Sequence, residues 1–130
     1  MSEYDPRRDG PWHLIHYERP FTQNALYSKS NKYHRAGLVK SWRESFGWLV
    51  KKERVPKLER CIITAIPHLR DKRAQDTGAC FPAVKAAIDG FVDSGVLADD
   101  GPDVVLELRF HAPMLKSDLG DALHLMVERL

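Results

Sequence analysis

The sequence predicts an α/β (α+β) fold: a single domain with a mixed β-sheet packed with two main helices. Two stretches place apolar residues at helical spacing, and four others alternate or run in β-branched residues as strands do. The last two of those strands follow one another through a connection too short for a crossover helix, so the sheet must contain antiparallel pairing. At 130 residues, 43% hydrophobic and 29% charged, the chain has the size and apolar content of one core. It contains no internal repeat, low-complexity tract or Gly/Ser linker. Residues 11–130 therefore read as one domain behind a polar segment, 1–10, that is expected to be flexible.

Trp12 to Tyr17 carries aromatic and branched side chains and stops before Arg19-Pro20, which suits a short strand. Residues 20–33 read as a polar loop dotted with aromatics. From Arg35 to Arg54, the residues Leu38, Val39, Trp42, Phe46, Leu49 and Val50 recur at intervals of three and four, the mark of one buried helical stripe. Pro56 forbids continuation much further. Within Leu58 to Leu69, the run Cys61-Ile62-Ile63-Thr64-Ala65-Ile66 predicts a buried strand, which Pro67 either ends or places at an edge. Pro82 suits a first helical turn and Gly95 a helix end, with Val84, Ala87, Ile88, Phe91 and Val92 between them, giving a second helix over about 82–94. Val104, Leu106, Leu108 and Phe110 alternate with Val105, Glu107 and Arg109, and Leu123, Leu125 and Val127 with His124, Met126 and Glu128. Both patterns predict half-buried strands.

The N-terminus has no apolar signal core, and no stretch approaches the ~20 apolar residues that cross a bilayer. A cytoplasmic protein without a membrane partner is expected. Cys61 and Cys80 are too few for a disulfide scaffold and have no zinc spacing, so they read as buried thiols. His13, His16, His68, His111 and His124 likewise show no ligand spacing and receive no role.

The net charge of +2 conceals a division. Residues 19–73 hold 14 Lys/Arg against 4 Asp/Glu, a net of +10; residues 74–130 hold 4 against 10, a net of −6; residues 1–18 hold 2 against 4. A basic half can meet phosphates and an acidic half can hold a cation, which is what a metal-dependent nuclease requires. Solvated charged faces would give the same asymmetry.

The chemistry concentrates in residues 76–100, where carboxylates bracket the second helix. Lys85, Asp89 and Asp93 fall four apart and share one helix face, Asp76 precedes the helix, and Asp99-Asp100 follows it. Phosphodiester hydrolysis calls for a hard cation to neutralise charge and activate water, and Mg2+ takes carboxylate and water oxygens. A helix of this length separates its flanking loops by about 20 Å, so convergence requires Asp76 to fold back along it. The same residues also read as an ordinary turn, Asp99-Asp100-Gly101-Pro102, and as a surface ion pair of Lys85 with Asp89.

The run Lys85-Ala-Ala-Ile-Asp89-Gly-Phe-Val-Asp93-Ser-Gly-Val-Leu-Ala-Asp99-Asp100 resembles the core motif of the RusA family of Holliday junction resolvases, above all its short versions from phages of actinobacteria. Asn24, Tyr33-His34-Arg35 and Trp42-Arg43 extend the resemblance more loosely. It implies a homodimeric, Mg2+-dependent endodeoxyribonuclease, with Mn2+ as a substitute ion, that nicks four-way junctions and other branched DNA in recombination and repair. Asp76, Asp99 and Asp100 would be metal ligands, Lys85 a positive group near the scissile phosphate, and Asp89 its orienting partner or part of the acidic cluster. The chain departs from the family's upstream Asp-x-Asp-Asn pattern, since only Asp76 stands there, nine residues before Lys85. In the basic half, Lys29, Lys32, His34, Arg35, Lys40 and Arg43 would contact phosphates, with Arg70, Lys72 and Arg73 steering the backbone toward the acidic loop. Tyr27 and Tyr33 would stack on unpaired bases or form rim contacts. The competing expectations are a non-catalytic DNA-binding or phage regulatory module, and an acidic-patch protein without a nucleic-acid role.

Overall fold

The structure, a computed structural model, describes residues 3–24, 32–73 and 75–130. In chain order its elements are α1 (Pro6–Asp9), β1 (Trp12–His16), α2 (Lys32–Lys52), β2 (Cys61–Leu69), α3 (Phe81–Asp93), β3 (Val105–Phe110), β4 (Met114–Leu115) and β5 (Ala122–Arg129). The strands form one mixed sheet in the order β1-β5-β2-β3, with β4 pairing the end of β2. β5 runs antiparallel to both β1 and β2, whereas β3 and β4 run parallel to β2. The expected mixed α+β architecture is therefore present. The last long strand does not return beside β3 but enters between β1 and β2.

β2 is central and flanked on both sides, so its length is buried almost throughout. Pro67 neither ends it nor marks an edge. The carbonyls of Ala65 and Leu69 accept from the N–H groups of His111 and Ser117 at 2.9 and 3.1 Å. Pro67 shares their parity, so the side on which it lacks an N–H faces the break between β3 and β4, where no ladder bond is lost. In β3 the predicted alternation fails at Leu106. Cys61 pairs with Val105 but Ile62 with Glu107, so Leu106 is the extra residue of a bulge and stands 43% exposed. Val105, Leu108 and Phe110 pack against the core in its place.

Both long helices share in one hydrophobic core with the strands. α2 contributes Trp42, Phe46, Leu49 and Val50, the residues its period predicts, and Phe21, Trp42, Phe46 and Phe91 form a chain of aromatic contacts with centroids 5.4–6.1 Å apart. α2 ends where Arg54 takes a left-handed φ of 56° and Val55 N–H donates to the Val50 carbonyl at 2.9 Å, a helix-ending pattern that glycine more often serves. Residues 6–9, inside the segment expected to be flexible, form a helical turn capped by Asp5. This turn accepts a hydrogen bond from Trp12 Nε1 at 3.1 Å through the Arg7 carbonyl. Among the described residues, no helix is long and apolar enough to cross a membrane.

α2 and α3 meet backbone to backbone. A Cβ on Gly90 would stand 2.3 Å from the Arg43 carbonyl oxygen and 3.1 Å from Gly47 N, and a Cβ on Gly47 would stand 3.3 Å from the Gly90 carbonyl oxygen. Gly90 therefore belongs to the packing rather than to a turn. Gly90→Ala must push the helices apart, and overpacking of this kind costs about 1–3 kcal/mol. Urea denaturation should show that loss; an unchanged midpoint would mean the helices separate without cost.

Candidate functional site

α3 begins with Cys80 as its N-cap and Pro82 in the first turn, and ends at Ser94 and Gly95, the latter at φ 86°. The chain then reverses. Val96 and Leu97 are buried, with Val96 N–H donating to the Phe91 carbonyl and its own carbonyl accepting from Leu58 N–H at 2.8 Å. This hook carries the following turn back along the helix. There Asp99 Oδ1 accepts from Gly101 N–H at 2.7 Å, and the Gly101 carbonyl accepts from Val104 and Val105. Asp100 thereby arrives beside the second turn of α3.

The result is a convergence of two carboxylates on one ammonium. Lys85 Nζ donates to Asp89 Oδ1 at 2.8 Å and also to Asp100 Oδ2. These three side chains are 28–44% exposed. Lys85 and Asp100 border a cleft of about 320 Å³ whose walls are Phe81, Ile88, Pro102, Val105 and Leu108. Partial burial works against the charge on Lys85, but hydrogen bonds to Asp100 and Asp89 outweigh it and raise its pKa. The hydrogen bond from Lys85, helped by its charge, holds the Asp100 carboxyl below the usual carboxylate range.

The site continues onto α2. Arg43 grips Asp93 through both arms, Nε to Oδ2 at 3.0 Å and Nη2 to Oδ1 at 2.8 Å. That hydrogen bonding lowers the pKa of Asp93 and raises that of Arg43, to which the charge of Asp89 adds. Arg43 thereby ties α2 to α3 while its side chain remains 41% exposed. Nothing in the sequence marks this bridge, because its ends are 50 residues apart.

The expected three-aspartate set is not gathered in one place. It is Asp100, not Asp76, that folds back along α3. Asp76 lies exposed in the turn before the helix, its backbone carbonyl accepting from Ala79 N–H at 2.9 Å, and its carboxylate bonds to no described residue. Asp99 is exposed and serves its own turn. Among the described residues, no group of three or more His, Cys, Asp or Glu side chains is placed to hold a metal ion. The pair Asp89 and Asp100 still has suitable chemistry, since Mg2+ commonly takes one or two carboxylates and fills its remaining positions with water. Lys85 bonds to both carboxylates.

Of the expected DNA contacts, Lys29 and Tyr27 lie outside the described residues. Lys32, Tyr33, His34 and Lys40 are exposed along α2 and Arg35 is partly buried there; Lys40 lies 3.9 Å from Glu44. Arg70, Lys72 and Arg73 follow β2 and are exposed. There Arg73 pairs with Asp71 at 2.9 Å, and the Arg70 backbone N–H donates to Asp121 at 2.8 Å. Comparison with known proteins finds no family model that matches the chain and no similar curated protein.

Lys85→Met should raise the Asp100 pKa toward its ordinary value, because the hydrogen bond and charge that lower it are removed. The carboxylate of Asp100 adds stability above the unfolded-state pKa and loses it as pH falls through its lowered folded-state value, so the substitution should also flatten the acid limb of the stability curve. A carboxyl-carbon NMR titration reads the first effect; an unmoved Asp100 midpoint would contradict the pairing.

Proposed function

We propose that the chain is a Mg2+-dependent, structure-specific endodeoxyribonuclease of the RusA type, nicking Holliday junctions and other branched DNA as a homodimer in the cytoplasm, that of the host if it is phage-encoded. The observation that carries this reading is the convergence of Asp89 and Asp100 on Lys85, at a solvent-open cleft joined through Asp93 and Arg43 to the basic helix α2. It supports the reading because phosphodiester hydrolysis needs hard oxygen donors and a mobile positive group at one point.

Asp89 and Asp100 would hold Mg2+ or Mn2+ together with water, while Asp76 and Asp99, expected as further ligands, lie apart from the pair in the turns before and after α3. The ion, when bound, supplies charge neutralisation and a water of lowered pKa. Lys85 exchanges its carboxylate partners for a non-bridging phosphate oxygen of the DNA, a charge-assisted contact that positions the scissile group. Phe81 and Pro102 form apolar walls of the cleft beside it. Exposed Lys32, His34 and Lys40, with Arg35 beside them, would follow the phosphate backbone along α2, and Arg70, Lys72 and Arg73 would do so beyond β2. A two-fold dimer would match the near two-fold symmetry of a junction and deliver paired nicks.

The location of Lys85 between the two carboxylates favours one second reading, a non-catalytic DNA-binding module in which that ion pair is permanent. Asp100→Asn separates the two. In the nuclease it should lower junction cleavage at least about 100-fold while junction binding, measured by gel shift, persists. Cleavage by Asp100→Asn at the wild-type rate would remove the site from the mechanism; binding without cleavage in the wild type, unaffected by metal or chelator, would establish the module.

A further inference from the structure

The sheet face opposite α2 and α3 carries a second constellation, independent of the nuclease reading. On β1 and β5, His13 lies opposite Met126 and Ile15 opposite His124, so His13 and His124 are diagonal neighbours on one face, within reach of each other. Across β2, His124 lies opposite Ile66 and Ala122 opposite His68, which places His68 on that face too. The rings of His13 and His124 have centroids 5.0 Å apart at 46°, with His13 Nδ1 and His124 Nε2 only 2.8 Å apart. His68 stacks on the far side of His124, centroids 6.1 Å apart.

We propose that His13 and His124 form a two-imidazole binding site for a divalent transition-metal ion of the Ni2+, Cu2+ or Zn2+ class. Imidazole nitrogens sit about 2.0–2.1 Å from such ions, so two of them are about 2.9 Å apart at right angles on Ni2+ or Cu2+ and about 3.3–3.4 Å apart on tetrahedral Zn2+. The observed 2.8 Å spacing is close to the right-angle bite, and on binding each ring turns so that its lone pair points at the ion instead of along the line to the other nitrogen. In the absence of an ion the same two nitrogens share one proton in a hydrogen bond.

Beside the pair, His68 is 9% exposed, with its Nδ1 hydrogen-bonded with Ser117 Oγ at 2.7 Å and its Nε2 without a partner among the described residues. Since no third His, Cys, Asp or Glu among the described residues completes a cluster, water takes the remaining coordination positions. The site is therefore an open, exchangeable one, distinct in ligand chemistry from the hard-oxygen pair at Lys85.

Titration of Ni2+ into the untagged full chain at pH 7.5, followed by calorimetry, tests this directly. One ion per chain should bind, and His13→Ala and His124→Ala should each weaken it at least about tenfold, the lower end of what loss of even a supporting ligand contact costs. His34→Ala, on α2, should leave it unchanged. His13 is exposed, so its variant remains informative if His124→Ala unfolds. No Ni2+ binding below about 1 mM, the weak end of specific affinities, or an unchanged affinity in His13→Ala, would overturn the proposal.

Discussion

The arrangement depends on the place where α2 and α3 touch without intervening side chains. With Gly47 and Gly90 at the crossing, the Arg43 carbonyl comes within 2.3 Å of where a Gly90 Cβ would be, and only glycine permits that approach. Close approach brings the flanking side chains into direct contact. Arg43 reaches Asp93 one turn beyond the crossing, and Phe46 meets Phe91 on the buried side. Because Asp89 immediately precedes Gly90 on α3, the same contact that seats the helix on the core also fixes where its acidic face points. Packing and the candidate site are consequences of one constraint.

The second determinant is the chain reversal after α3. Burying Val96 and Leu97 turns the chain under the helix it has just left, and the turn at 99–104 then leads into β3 parallel to β2. Asp100 meets Lys85 because this hook shortens a path that a straight helix would have kept long. The apolar side of the turn and the polar side of the cleft are thus built by the same few residues, with Pro102 and Val105 as wall and Asp100 as rim.

Much of this was legible in the sequence, for reasons that differ by element. The stripe Trp42, Phe46, Leu49 and Val50 is buried as its period requires, and the alternation of Leu123, Leu125 and Val127 places those three on the core side. Periodicity reports burial, so it succeeds where one face packs and the other does not. It fails at Leu106, where a bulge adds a residue, and at Pro67, whose missing donor is harmless only because β3 gives way to β4 beside it. Neither depends on local composition. Strand order is equally silent, since nothing in Ala122–Arg129 says that it enters between β1 and β2. At the candidate site, helical spacing places Lys85 and Asp89 together, but the return of Asp100, the exposed position of Asp76 and the Arg43–Asp93 bridge arise from tertiary packing. The His13–His124 pair was invisible for the same reason, because its partners are 111 residues apart and meet only through strand register.

We propose that the cleft at Lys85 and Asp100 cuts branched DNA. The most direct measurement is denaturing-gel mapping of the unmodified chain acting on a labelled four-way junction and on a linear duplex of matched sequence, with Mg2+ and with chelator. Symmetric nicks near the branch point should appear only with Mg2+ and only in the junction. An intact junction across all metal conditions, or equal cutting of the linear duplex, would contradict it.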